Sequence, residues 1–246
     1  MRELVTLWRR ELASYFTSPA VFVAMVLVLA VTGVGFSMQA ALSRGSPLRV
    51  DILVFWLPTL WLMVLISATM LTARLFAEEK RSGTIETLMT APVTESQVVL
   101  GKYAAALVVF VVTFLPTTSY MWFLRRFSSG MDTIDARALV AGYGMFFLMG
   151  AFYVSIGVLV SAMSRNVTVA AIACFALLIM LFILLGAAGH VLMGKGMFFP
   201  AIVSPFAHIS DYSRGVMDSR HIVFYLSGIA FSLFAAVKVV ESRRWL

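Results

Sequence analysis

Long apolar runs alternate with short polar stretches along nearly the whole chain. Each run has about 20 or more residues with almost no charge at its centre, which is the length that a helix needs to cross a bilayer. Backbone groups in lipid must be paired within their own segment, and these runs are too long and continuous for barrel strands. The pattern therefore predicts six membrane-spanning helices (TM1–TM6) at 20–41, 53–74, 98–124, 138–162, 168–189 and 221–240.

The first 18 residues have a different pattern from the spans. Apolar residues from Leu4 to Phe16 recur at helical spacing, and the charged residues at 9–11 fall between them. This predicts an amphipathic helix over 1–18 that lies in the membrane interface. Ser18 and Pro19 are suited to cap and begin the next helix, TM1.

Two polar interruptions are longer than ordinary connections. Residues 75–97 separate TM2 from TM3, and residues 190–220, which contain several Gly and Pro residues, separate TM5 from TM6. We expect the second to be a broken helical outer segment. Within TM3, Pro116 predicts a kink. The glycines of TM4 and TM5 either permit close contact between helices or reflect packing against lipid alone, and they are Gly142, Gly144, Gly150, Gly157, Gly186 and Gly189.

The composition places the chain in a membrane. Hydrophobic residues make up 61% and charged residues 13%, against about 45–50% and about 25% in soluble domains. The net charge is +7, and the basic residues flank the apolar runs, so they predict contact with lipid headgroups rather than with nucleic acid. We expect a single all-α integral membrane domain over residues 1–246.

The basic residues also bear on orientation. They are slightly more numerous on the side shared by the two termini, and Arg2, Arg9 and Arg10 precede TM1. Under the positive-inside rule this favours cytoplasmic N- and C-termini. The segment between TM2 and TM3 would then also be cytoplasmic.

That segment contains the most informative pattern in the sequence. Thr84 can cap a short helix in which Ile85, Leu88 and Met89 share one face, and Pro92 ends it. Such a turn could present a small apolar surface with acidic edges to a cytosolic partner. It could equally be an ordinary solvated loop, and the residues alone leave both open.

The connection into TM3 has its own signal. Thr94 is followed three residues later by Gln97, directly before the apolar run. This spacing predicts a capping box at the start of TM3.

A family resemblance favours the first interpretation of residues 84–92. The pattern E-x-x-x-G-T-x-E-x-L-x-x-x-P resembles the TM2–TM3 loop of ABC-2 type transporter permeases, and it is filled by Glu79, Gly83, Thr84, Glu86, Leu88 and Pro92. The helix before Ser18 is similar to the interfacial elbow helix of that family. Residues 213–227 and the final ESRRW resemble the gliding-motility-associated branch of these permeases.

The resemblance implies that 84–91 is a cytoplasmic coupling helix seated in a cleft of a separate ABC ATPase subunit, which would bind ATP and Mg. The expected ATPase-coupling interface consists of Glu78, Glu79, Gly83, Thr84, Ile85, Glu86, Leu88, Met89 and Pro92. It also implies that TM2 and TM5 line the transport route, with candidates Phe55, Trp56, Trp61, Phe175, Met180 and Phe182. A second copy or a related permease would complete the membrane domain in a bacterial inner membrane.

The sequence offers no site for chemistry of its own. It contains no G-x-x-x-x-G-K-[ST] phosphate-binding loop, so we expect no ATPase activity, no catalytic residues and no cofactor in this chain. His190, His208 and His221 show no recognised metal-ligand spacing. The predicted function is export of an unidentified substrate, and the alternative is a non-transporting subunit that transmits ATPase-driven motion to an envelope or motility machine.

Overall fold

The computed structural model describes residues 2–42, 58–84, 94–120, 122, 136–193, 204–213, 216 and 218–242. The described residues contain helices and no strand. In chain order the α-helices are α1 (Arg2–Thr17), α2 (Pro19–Leu42), α3 (Pro58–Thr72), α4 (Arg74–Ser82), α5 (Glu95–Phe114), α6 (Ala136–Met163), α7 (Val167–Met193), α8 (Pro205–Ser213) and α9 (Ser219–Ser242), with a 3₁₀ helix at Leu115–Thr118.

Six helical stretches are long and apolar enough to cross a membrane. They are Val21–Met38, Leu60–Ser82, Glu95–Thr118, Val140–Met163, Val167–Gly186 and Ser219–Ser242. The prediction of an all-α protein with six spans is therefore confirmed. The second span is built from α3 and α4 together, with a turn at Ala73 between them.

Helix α6 lies at the centre of the bundle and packs against α9, α3, α7, α8, α4 and α5. In its apolar stretch, 83% of the residues are buried, against 11% in α2 and 17% in α7. Stacked and edge-on aromatic rings fill the core between α5 and α6, where the centroid of Phe146 lies 5.3 Å from that of Phe114 and 6.3 Å from that of Phe110. The exposed apolar faces of α2, α7 and α9 must face lipid or another membrane subunit.

Glycine allows α6 to approach its neighbours closely at Gly150 and Gly157, but Gly144 on the same helix faces open space. A Cβ atom at Gly157 would overlap the side chain of Thr72 on α3, and one at Gly150 would overlap the ring of Phe110 on α5. Close backbone approach between helices is a common source of packing energy in lipid, where apolar burial alone gives little drive.

Helix ends follow local chemistry more closely than hydropathy. Thr94 and Gln97 form the expected capping box, with Thr94 Oγ1 accepting from the Gln97 amide and Gln97 Oε1 accepting from the Thr94 amide. The 3₁₀ helix contains Pro116, whose missing amide proton breaks the regular helix. Helix α4 extends beyond residue 74, where the apolar run ends. Its residues Leu75, Phe76 and Ala77 are buried, while the polar residues on its other face end the apolar pattern.

Candidate functional site

Helix α4 forms the last part of the second span and leads to the segment that the sequence singles out. It ends at Gly83, which adopts a left-handed conformation with φ of 73°. A Cβ atom there would meet nothing within 4 Å, so backbone conformation, and not space, favours glycine. The predicted interface residues Ile85, Glu86, Leu88, Met89 and Pro92 lie outside the described residues.

A buried serine on α6 stabilises the turn between α3 and α4. Ser161 Oγ accepts from the amides of Phe76 and Ala77, at 3.1 and 3.3 Å, and donates to the Ala73 carbonyl at 3.1 Å. The first amides of a helix have no partner within the helix itself. Ser161 thereby satisfies backbone groups that the turn leaves free and fixes the start of α4 against α6.

A lysine fixes the other end of α4 to the same helix. Lys80 Nζ donates to the Ala162 carbonyl, next to the last residue of α6. The carbonyl end of a helix carries partial negative charge, so an ammonium group is favourable there. Helix α4 therefore contacts α6 at both of its ends.

A buried ion cluster joins α4 to two further helices. Lys102 on α5 has a side chain only 1% exposed, and its Nζ lies 2.6 Å from Glu79 Oε1 on α4 and 3.2 Å from Glu11 Oε1 on α1. The same ammonium group lies 5.4 Å from the centroid of the Phe76 ring. Burying a lone charge costs several kcal/mol, and here two carboxylates compensate one ammonium. We call Glu11, Glu79 and Lys102 the loop-side ion cluster.

Two further contacts of α1 lie near this cluster, one within α1 and one to α3. Arg10 lies 3.3 Å from Glu11, on the exposed side. The Tyr15 hydroxyl donates to the Leu71 carbonyl at 2.5 Å. Burial, and then the charge of Glu11, raise the pKa of Tyr15, so the hydroxyl remains a donor. Helix α1 is thus attached to the end of α3 as well as to α5.

The described interface residues differ in where they point. Glu78 is exposed, as are Gly83 and Thr84, and the Thr84 hydroxyl lies 2.9 Å from that of Ser82. Glu79 instead faces inward with 19% of its side chain exposed; its Oε1 binds Lys102, and its Oε2 is buried without a hydrogen-bond partner. Contact of Glu79 with an ATPase stays a prediction.

Sequence reasoning missed Lys102, Glu11 and Ser161. One signal was available, since a lysine within an apolar span requires a partner at membrane depth. The identity of that partner could not be read, because Glu11 and Glu79 are far from Lys102 in sequence.

The candidate route-lining residues have different environments. Trp61 is buried, with its ring 5.6 Å from that of Phe146. Phe175 and Phe182 are half-buried, and Met180 is exposed on α7. Phe55 and Trp56 lie outside the described residues. The lining role of all six stays a prediction.

The far end of the bundle holds a second polar cluster. The rings of His208 on α8 and His221 on α9 have centroids 3.9 Å apart, and His208 Nδ1 lies 2.8 Å from the Tyr225 hydroxyl. All three side chains are buried. We call His208, His221 and Tyr225 the far-end cluster. No group of three or more His, Cys, Asp or Glu that could hold a metal occurs among the residues with described positions.

The chain matches a known protein family. The family model for the ABC-2 family transporter protein matches residues 21–217, from near the start of α2 to beyond the end of α8. No curated protein matches the chain. The family match and the six candidate spans agree: the chain belongs to the ABC-2 transporter family and is a multi-pass permease component of an ABC transporter.

Proposed function

We propose that this chain couples ATP hydrolysis on a separate nucleotide-binding subunit to export of a substrate across a bacterial inner membrane. Family membership supports a role as the membrane component of an ABC transporter. The observation that supports the coupling role is the attachment of α4 to α1, α5 and α6. Residues 84–92, which follow α4 directly, would contact the ATPase, and ATP and Mg would bind on that subunit.

The contacts of α4 suit it to transmit force. Ser161 and the Ala162 carbonyl fix it to α6, and the loop-side ion cluster fixes it to α1 and α5. A push on residues 84–92 would therefore move four elements together instead of being absorbed in a flexible loop. Because α6 packs against most of the bundle, the displacement would reach the other spans.

A complete transporter would contain a second copy or a related permease. The exposed apolar faces of α2 and α7 offer the surface for it. In this proposal the route runs between the two subunits along α3 and α7, with Met180 on an exposed face and both termini in the cytoplasm. Residues 213–227 support placement in the gliding-motility branch.

The coupling role is tested with the ATPase that co-purifies with the tagged chain. In proteoliposomes we expect the wild-type chain to stimulate its ATP hydrolysis, and Glu86→Ala and Leu88→Ala each to reduce that stimulation about fivefold or more, as truncation of a central interface residue does. Glu241→Ala, an exposed carboxylate on α9, is the control. Unchanged stimulation in both interface variants would contradict the proposal.

Substrate movement separates the two roles that the sequence leaves open. Accumulation of a cargo inside inverted vesicles, dependent on ATP, supports export. Stimulated hydrolysis without any transported molecule would favour a subunit that passes motion to an envelope or motility machine.

A further inference from the structure

A cavity of about 800 Å³ opens beside the loop-side ion cluster. Its walls come from α1, α2, the α3–α4 span, Lys102 of α5 and the start of α7. This volume lies in the range of about 300–1,000 Å³ that is typical of ligand sites. The cavity begins at the level of the charged residues and continues into the apolar part of three predicted spans.

One wall changes from apolar to charged along a single helical face. Met70, Arg74, Glu78 and Ser82 all line the cavity, are all exposed, and recur at every fourth position. At about 1.5 Å per residue they cover about 18 Å along the helix axis. At the membrane end, Val21 on α2 and other small apolar residues complete the wall. The site therefore fits an amphipathic ligand with its chain toward the bilayer centre.

The charges on this wall are not compensated from within the described part of the chain. Lys102 is neutralised by Glu79 and Glu11, and Glu11 also pairs with Arg10. Arg74 and Glu78, in contrast, form no ion pair with any residue at a described position. They present one positive and one negative group, one helical turn apart, with the positive group nearer to the membrane.

We propose that this cavity binds a phosphatidylethanolamine-type lipid from the leaflet on the side of α4. An acyl chain lies along Met70 and Val21, the phosphate binds Arg74, and the primary ammonium group binds Glu78. The order of chain, phosphate and ammonium in such a lipid matches the order of Met70, Arg74 and Glu78 along the helix. An anionic phosphatidylglycerol would leave Glu78 unpaired, and a free phosphate would leave the apolar wall empty.

The occupant would contact α1 and α4 at once, because Ser14 of α1 and Glu78 of α4 line the same cavity. Binding needs no ATPase, so this proposal and the coupling role can fail separately. The competing occupant is a second copy of the chain, since the exposed α2 and α7 border the opening.

The test uses the full chain in lipid nanodiscs that contain a phosphatidylethanolamine with a photoreactive acyl chain. Peptide mass spectrometry after illumination maps the labelled segments, and phosphatidylglycerol with the same reactive chain serves as the comparison. We expect the ethanolamine probe to label the peptides around Val21 and Ala171 about tenfold more than the glycerol probe. That ratio corresponds to one charge-assisted contact.

Variants decide whether Arg74 and Glu78 are responsible. Arg74→Glu, Glu78→Lys and the milder Glu78→Gln are each expected to lower this labelling about tenfold. The matched control, Lys238→Glu in the exposed Lys238–Glu241 pair on α9, is expected to leave it unchanged. The combined exchange R74E/E78K keeps a pair of opposite charges but reverses their order, so it is expected not to restore labelling.

Three results would overturn the proposal. Equal labelling by the two probes would show annular lipid only. Recovery in R74E/E78K would show that labelling needs a pair of opposite charges but not their order, so that Arg74 and Glu78 act as a structural pair and do not recognise the head group. Absence of lipid labelling, with cross-links from these peptides to a second copy in a parallel experiment with a protein cross-linker, would show that the chain itself fills the cavity.

Discussion

The two ends of the helix bundle bury polar groups in different ways. At the loop side, a full positive charge on Lys102 is shared between carboxylates from α1 and α4. At the far end, the far-end cluster packs aromatic rings, with a hydrogen bond between His208 and Tyr225. The loop-side contacts are charged and directional, and they join elements that are distant in sequence.

This difference is consistent with different roles for the two ends. Charged, directional contacts fix α4 relative to its neighbours, as the force-transmitting role proposed for α4 requires. Ring packing with the His208–Tyr225 hydrogen bond provides cohesion without an ion pair among the described residues of that cluster. Removing polar groups at the loop side should therefore lower the stability of the protein more than comparable changes at the far end.

The largest effect is expected from Lys102→Met. It leaves Glu11 and Glu79 facing each other without the ammonium group, and breaking a buried pair in this way costs about 3–5 kcal/mol. For a chain of this size that lowers Tm by at least about 6 °C, measured by intrinsic fluorescence in detergent.

A charge-neutral background provides the control for that change. A triple variant removes the uncompensated carboxylates by combining Lys102→Met with Glu11→Gln and Glu79→Gln. Its Tm should be close to that of the wild-type chain. A Tm unaffected by Lys102→Met alone would show that the ion cluster does not stabilise the joint between α1, α4 and α5.

Ser161→Ala should have the next largest effect. It leaves the amides of Phe76 and Ala77 without their acceptor, which costs about 2–4 kcal/mol for two buried donors. The control is Ser155→Ala, a buried serine on the same helix whose hydroxyl donates to the Phe152 carbonyl within α6. Equal Tm losses in the two variants would contradict the role given to Ser161.

Gly157→Ala tests the close approach of α6 to α3. The added methyl group would overlap Thr72, and overpacking of this kind costs about 1–3 kcal/mol. At Gly144 on the same helix, an added Cβ meets nothing within 4 Å, so Gly144→Ala should leave Tm unchanged or raise it. A reversed order of the two melting temperatures would refute this packing.

The smallest effect is expected at the far end. Tyr225→Phe removes the hydroxyl next to His208 Nδ1 while keeping the ring, which costs about 0.5–1.5 kcal/mol. A loss in Tm as large as that of Lys102→Met would abolish the contrast between the two ends.

Hydropathy and capping chemistry account for what the sequence predicted well. Continuous apolar runs predicted the six spans. Thr94 and Gln97 predicted the capping box of α5, and Pro116 predicted the break in that span, because capping and proline effects act within a few residues. The continuation of α4 was missed because its polar face ended the apolar run while Leu75, Phe76 and Ala77 remained buried.

Contacts between distant elements could not be predicted in the same way. The loop-side ion cluster and the far-end cluster each bring together residues from different helices, and their pairing depends on how those helices pack. A single sequence contains the charges but not the geometry that pairs them.

The proposed coupling role requires that the segment after Gly83 faces the compartment of the ATPase. Its most direct test is cysteine labelling in a Cys174→Ala background, which removes the chain's single, buried cysteine. Thr84→Cys is placed at the start of the segment, and Ser119→Cys, exposed beyond the other end of α5, is the control. Each is treated with a membrane-impermeant maleimide in spheroplasts and in inside-out vesicles. We expect Thr84→Cys to react only in inside-out vesicles and Ser119→Cys only in spheroplasts. Reaction of Thr84→Cys in intact spheroplasts would contradict the account.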